Sequence, residues 1–120
     1  MKPFPATKVM DLSDGVLGTM GGGWGGRGRI TLVGDASHAM RPTDGQGGNQ
    51  ASEDAIVLSR ILTSSDASSV AQHLREFEET RLPRVKRIHD DQRIRYERRM
   101  KGEDIGPMSQ ELKEWIEAGV

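Results

Sequence analysis

Hydrophobic positions change their period along the chain. Arg29–Gly34, RITLVG, is a short β-branched apolar run closed by a glycine, and it predicts a strand. From Asn49 the apolar residues Ala51, Ala55, Leu58 and Leu62 recur at i, i+4, i+7 and i+11, one face of a helix. TSSDASS is a linker by composition. After it Val70, Leu74 and Phe77 share a face of a second helix, opened by a capping box of Ser69 and Gln72. Pro83 is expected to kink or split that helix, whose continuation to about Met100 keeps a weaker face of Val85, Ile88 and Gln92. GEDIGP ends it, and Ser109–Ala118 predicts a short last helix. Upstream, Met1–Asp14 alternates apolar residues but carries Pro3 and Pro5, which limits it to an extended edge segment. GTMGGGWGGRGR, residues 18–29, is a loop by glycine content.

One strand and three helices do not complete a layered α/β domain. A lone strand leaves its backbone groups unpaired unless a sheet receives it. The expected fold class is therefore an α/β fragment: short strand or strands followed by a mainly helical C-terminal part. With 120 residues, 34% hydrophobic and 4% aromatic, the chain is at most one small domain with a thin core. A net charge of -1 gives no bulk electrostatic case for nucleic acid or a membrane surface. The absence of cysteine excludes disulfides and thiolate metal sites. No apolar run approaches a membrane span and the N-terminus lacks a signal-peptide core, so a soluble, cytoplasmic protein is expected.

Charge is uneven. Arg81–Lys101 holds nine Lys or Arg against three acids, whereas the tail from Gly102 has five acids and one lysine. That basic helix reads as a solvated face or a packing partner. GGGWGGRGR has too few arginines and aromatics to carry an RNA-binding reading.

The chemistry concentrates in GDASHAMRPTDGQGGNQASEDA, residues 34–55. Asp35 follows a strand end, where a carboxylate can accept hydrogen bonds from ligand hydroxyls. Gly45, Gly47 and Gly48 allow close backbone approach and lead into a helix N-terminus, whose free N–H groups attract oxygen-rich groups. The combination suits a ligand with a polyol chain and an electron-rich ring edge. Phosphates fit less well, because neither GxGxxG nor a P-loop lysine is present.

GRITLVGDASHAMRPTDGQGGNQASEDAIVLSRIL resembles the second FAD motif of the FAD-dependent aromatic hydroxylases, the class A flavin monooxygenases. The order matches: a strand, Gly-Asp-Ala-x-His, a proline four residues on, Gly-Gln-Gly-x-Asn, Glu-Asp-Ala and a leucine-rich helix. Trp24 and Gly28-Arg29 fit its upstream side, and FEETRLPR resembles the family's Tyr-Glu-x-x-Arg segment with Phe77 for tyrosine. The resemblance implies an FAD-binding domain of Rossmann-like, aromatic hydroxylase type. Residues 1–120 would then be a partial domain, with strand–loop–helix at 24–62, a kinked basic helix at 69–101 and a short helix at 109–118.

It also implies that Asp35 holds the ribityl hydroxyls of FAD, with Gly34 and Ala36 letting the cofactor lie close. Pro42 would place its carbonyl near the reacting face of the flavin ring, and Gln46 would lie near the flavin. Gly45 opens the turn, and Gly47, Gly48 and Asn49 would offer N–H groups to the pyrimidine edge, stabilising charge on reduced flavin. In such enzymes NAD(P)H reduces FAD, and the reduced flavin uses O2 to hydroxylate a small organic substrate. The family's N-terminal Gly-x-Gly-x-x-Gly unit, its Asp-Gly motif and most of its substrate domain have no counterpart here. The isolated chain is expected to be the inactive C-terminal portion of such an oxidoreductase; the alternative is a non-enzymatic helical interaction protein.

No residue is assigned a catalytic or metal role. His38 is expected to make a structural hydrogen bond, and Glu53 and Asp54 to be helix-dipole, solvent-facing charges. Arg41 is a surface charge or a neighbour of the cofactor. Met100, Met108 and Trp115 are expected to pack. Oligomeric state and substrate are not legible.

Overall fold

The computed structural model describes residues 26–42 and 44–119. Among the described residues four helices follow in order: α1 (Asp35–His38), α2 (Gln46–Leu62), α3 (Val70–Met100) and α4 (Gln110–Glu117). The expectations for Met1–Asp14 and Trp24 lie outside the described residues.

The strand expected at Arg29–Gly34 is not formed among the described residues. Pairing there is one antiparallel bridge between Arg27 and Ile30, with reciprocal hydrogen bonds of 3.0 and 2.9 Å around Gly28 at φ 55°. A strand exists only within a ladder, and no second strand lies beside this segment among the described residues. Side chains hold it instead. Arg75 donates to the Ile30 carbonyl at 2.8 Å, and the Thr31 hydroxyl donates to Glu78 at 2.7 Å.

α2 starts at Gln46, earlier than the apolar spacing indicates, after Gly45 in the left-handed region at φ 68°. Its buried face is also different. Gln46, Gln50, Asp54 and Val57 point inward, whereas Ala55 is exposed and Leu58 and Leu62 are only half-buried. The inward stripe is displaced by one residue, about 100° around the helix. A polar stripe is tolerated inside only because partners from α3 meet it.

α3 is a single 31-residue helix, and Pro83 lies within it without splitting it. Pro83 and Glu79, four residues before it, are both exposed, so water can satisfy the carbonyl that the missing N–H leaves. The capping box does not form, since the Ser69 side chain makes no cap bond to the helix. Asp66 organises the turn, accepting from the hydroxyls and amides of Ser68 and Ser69 at 2.7–3.1 Å. The Ser68 hydroxyl and amide, then the Ser69 amide and hydroxyl, hold its carboxyl down to about 2. The far end closes with Glu103 N–H to Arg98 C=O at 3.2 Å and Gly102 N–H to Arg99 C=O at 2.9 Å, with Gly102 at φ 82°. Ser109 caps α4 by accepting from the Leu112 amide at 3.2 Å.

α2 and the first half of α3 run antiparallel around Val57, Phe77 and Val85, with Leu32, Met40, Leu58, Ile61 and Leu82 packed against them. α4 rests on α3, where Arg84 donates to the Ile116 carbonyl at 2.7 Å and Arg87 stacks 4.2 Å over Trp115. Met108 is buried, but Met100 is 66% exposed and does not pack. The basic helix is no uniformly solvated face, because Arg81, Arg84 and Arg95 turn inward.

Candidate functional site

The chain enters the site through Gly34 at φ 59°, ψ -142°, a conformation essentially confined to glycine. Its carbonyl accepts from the amides of Ser37 and His38 and from the Ser37 hydroxyl, each at 3.0 Å. That closes α1 as a single turn directly after the glycine. Asp35 and Ala36 face outward, and Ser37 and His38 are buried.

Behind this turn lies a polar cluster that sequence reasoning placed on the surface. Asp54 is fully buried, not solvent-facing. Its Oδ2 accepts from the Gly34 amide at 2.8 Å and lies 2.6 Å from His38 Nε2, and its Oδ1 accepts from Arg81 Nε at 2.7 Å. The structural hydrogen bond expected of His38 is thus to Asp54. Burial pushes the Asp54 carboxyl up, but the bonds from His38, the Gly34 amide and Arg81 outweigh it and leave its pKa below the ordinary 3.8. Glu53 also faces the cluster rather than solvent, accepting from Arg81 Nη1 at 2.8 Å and from Arg84 Nε at 2.6 Å. Arg81 completes its fork on the Gln50 carbonyl and side chain at 3.1 and 2.8 Å.

A second clamp holds the loop before α2. Gln92 accepts from the Arg41 amide at 3.0 Å and donates to the Arg41 carbonyl at 2.9 Å. Arg95 binds both oxygens of Asp44, and Gln92 adds a third donor to it. The Arg41 guanidinium stacks 3.6 Å over the Tyr96 ring, so it belongs to this clamp. Burial raises the Asp44 carboxyl, yet Arg95 and Gln92 bring it below its ordinary value.

In front, Asp35, Ala36, Pro42, Gly45, Gly48 and Asn49 are exposed and Gly47 is half-buried, whereas Gly34 and Gln46, both expected beside the cofactor, are buried. Gln46 turns inward, accepting from Gln50 at 3.3 Å. Among the described residues no side chain caps the first turn of α2, which leaves its leading N–H groups available to an external acceptor. A Cβ on Gly47 would stand 3.9 Å from the Asp35 carboxylate, and one on Gly45 or Gly48 would meet nothing within 4 Å. The acid and the glycine turn are therefore neighbours on one open face. A carboxylate beside uncapped amides and bare backbone fits a group presenting hydroxyls and a flat, electron-rich edge.

A cleft of about 580 Å³ lined by Val57, Arg60, Ile61, Thr80, Arg84 and Trp115 shares no residue with this face. Arg81, Asp54 and Arg95 are supporting residues that sequence reasoning missed, whereas Gln92 is buried on the helix face where its spacing placed it. The available signal was the Arg of FEETR and the acid of EDA, both inside the resembling segments. Among the described residues no cluster of His, Asp and Glu could hold a metal, and no helix is long and apolar enough to cross a membrane.

Comparison with known proteins matches the sequence to a family. Residues 26–92 match the family model described as FAD binding domain. The chain belongs to that family, within the FAD-dependent aromatic hydroxylase superfamily, whose cofactor is FAD. It is 50% identical over 74 residues to a 3-amino-4-hydroxybenzoate 2-monooxygenase of Streptomyces platensis, covering 62% of this chain and 18% of that protein. Salicylate hydroxylase of Pseudomonas putida is 44% identical over 63 residues, 51% of this chain and 14% of its own. The FAD-dependent urate hydroxylase of Klebsiella pneumoniae is 45% identical over 60 residues, 50% of this chain and 15% of its own. The chain spans less than a fifth of the length of these relatives.

Proposed function

We propose that Gly34–Asn49 forms the ribityl- and ring-facing part of the FAD site of a flavin-dependent monooxygenase. The observation that carries this reading is the exposed Asp35 carboxylate set against the uncapped glycine turn of α2. Asp35 accepts hydrogen bonds from the ribityl hydroxyls. Gly34 and Ala36 leave room beside it, and the Pro42 carbonyl borders the ring. Gly45 lets the backbone turn, Gln46 lies near the flavin, and Gly47, Gly48 and Asn49 bring their amides to the pyrimidine edge. Those amides, at the positive end of α2, favour negative charge on the ring.

FAD, when bound, supplies the redox chemistry. Hydroxylation of a small organic substrate with NAD(P)H as reductant is assigned to an assembled enzyme of the relatives' size, and these 120 residues alone are proposed to be inactive. In that assembly 29–34 joins a sheet as a strand of a Rossmann-like α/β domain, and the location is cytoplasmic. The test is an FAD titration of the chain by flavin fluorescence, with Asp35→Ala beside it. Saturable binding that weakens about tenfold or more in Asp35→Ala, with unchanged far-UV circular dichroism, is expected from loss of charge-assisted bonds. Equal binding by both proteins would remove Asp35 from the site.

A further inference from the structure

We propose that Asp54 is a positioning residue of the flavin site, fixing the Gly34–His38 turn, and with it the Asp35 carboxylate, from behind while touching no part of the ligand. This rests on the reading of Gly34–Asn49 as flavin-facing.

One fully buried carboxylate holds both ends of α1: the Gly34 amide at 2.8 Å and His38 Nε2 at 2.6 Å both meet Oδ2. Its other oxygen is held at 2.7 Å by Arg81, which Gln50 and Glu53 lock in turn. Gly34 has the most permissive backbone of any residue type, and among the described residues no sheet restrains it. The bond to Asp54 therefore selects the φ of 59° from which Asp35 projects. Charge-assisted bonds of this kind are about twice as strong as neutral ones. Asn at this position has one accepting oxygen and an NH2 group, so the NH2 would oppose a donor among Gly34 N–H, Arg81 Nε and a protonated His38 nitrogen.

Two measurements on the 120-residue chain test this. The first is amide hydrogen exchange in wild type and Asp54→Asn. The amides of Gly34, Ser37 and His38 should exchange about tenfold faster or more, as for a lost bond to a charged group, while those around Phe77 and Val85 stay protected. Unchanged exchange at residues 34–38 would overturn the proposal. Should Asp54→Asn unfold the chain, His38→Gln, which leaves the Asp54–Arg81 pair intact, takes its place: Ser37 and His38 loosen alone, and no change there overturns it.

The second is FAD affinity in wild type, Asp35→Ala, Asp54→Asn and the double variant. Positioning through Asp35 predicts that Asp54→Asn weakens binding about tenfold in the wild-type background and adds nothing once Asp35 is removed. Additive losses would make Asp54 a general support and overturn the proposal. A wild-type chain that ignores FAD would overturn the flavin reading instead, and the exchange experiment would then decide on Asp54 alone.

Discussion

Arg81 Nε meets Asp54 Oδ1 at 2.7 Å inside the molecule, with neither side chain exposed to solvent. The contact joins α3 to α2 and, through the other Asp54 oxygen, to the turn that presents Asp35. A buried ion pair adds little net stability, because desolvation offsets the attraction, but breaking one side of it strands a charge.

Arg81→Met should therefore destabilise the chain by about 3–5 kcal/mol, read as a lower urea midpoint at unchanged slope. Combined with Asp54→Asn, the two losses should be strongly non-additive, since the first substitution already removes the partner of the second. Additivity in that cycle would show that the two side chains do not interact in solution.

Acid should unfold the protein through its inward carboxylates. For Asp54, Glu53 and Asp44 burial pushes the pKa up, and hydrogen bonds with their partners carry it below the ordinary value. The folded state thus releases these protons more readily than the unfolded chain. The resulting stability is fully present above the unfolded carboxylate range, about pH 4, and is lost as pH falls through the lower folded values. Urea midpoints between pH 7 and 2 should hold nearly level to about pH 5 as far as these groups act, then fall steeply. Glu53→Gln should flatten the acid limb. A loss concentrated between pH 7 and 5 would point to other groups.

Pro83→Ala should raise stability by about 1 kcal/mol. The substitution restores a helical hydrogen bond to Glu79 on an exposed face, and the gain exceeds the entropy that proline removes from the unfolded chain. Thermal unfolding followed by circular dichroism reads the shift. A lower midpoint would mean that the proline ring itself contributes packing.

Chain order and local chemistry were legible in the amino acids. α3 shows its inward face, because Leu74, Phe77, Val85 and Ile88 carry a helical period and are buried. The glycine turn was legible in Gly45, where the backbone takes positive φ, but Gly47 and Gly48 do not take it and Gly34, read as a strand end, does. The face of α2 was not. Ala51, Ala55, Leu58 and Leu62 satisfy the same periodicity, and no local rule sends Gln50 and Asp54 inward in their place.

The residues alone determined four things: a turn rich in glycine, an acid beside it, helices of roughly these lengths, and membership of a family whose motif is local in sequence. Tertiary structure decided which charges are buried. Arg81, Arg84 and Arg95 lie on a segment that reads equally as a solvated face or as a packing partner, and these three turn inward because Asp54, Glu53 and Asp44 wait there on other elements. A charge is tolerated in the interior only where a distant part of the chain supplies its opposite, and that pairing is written in no single stretch of sequence.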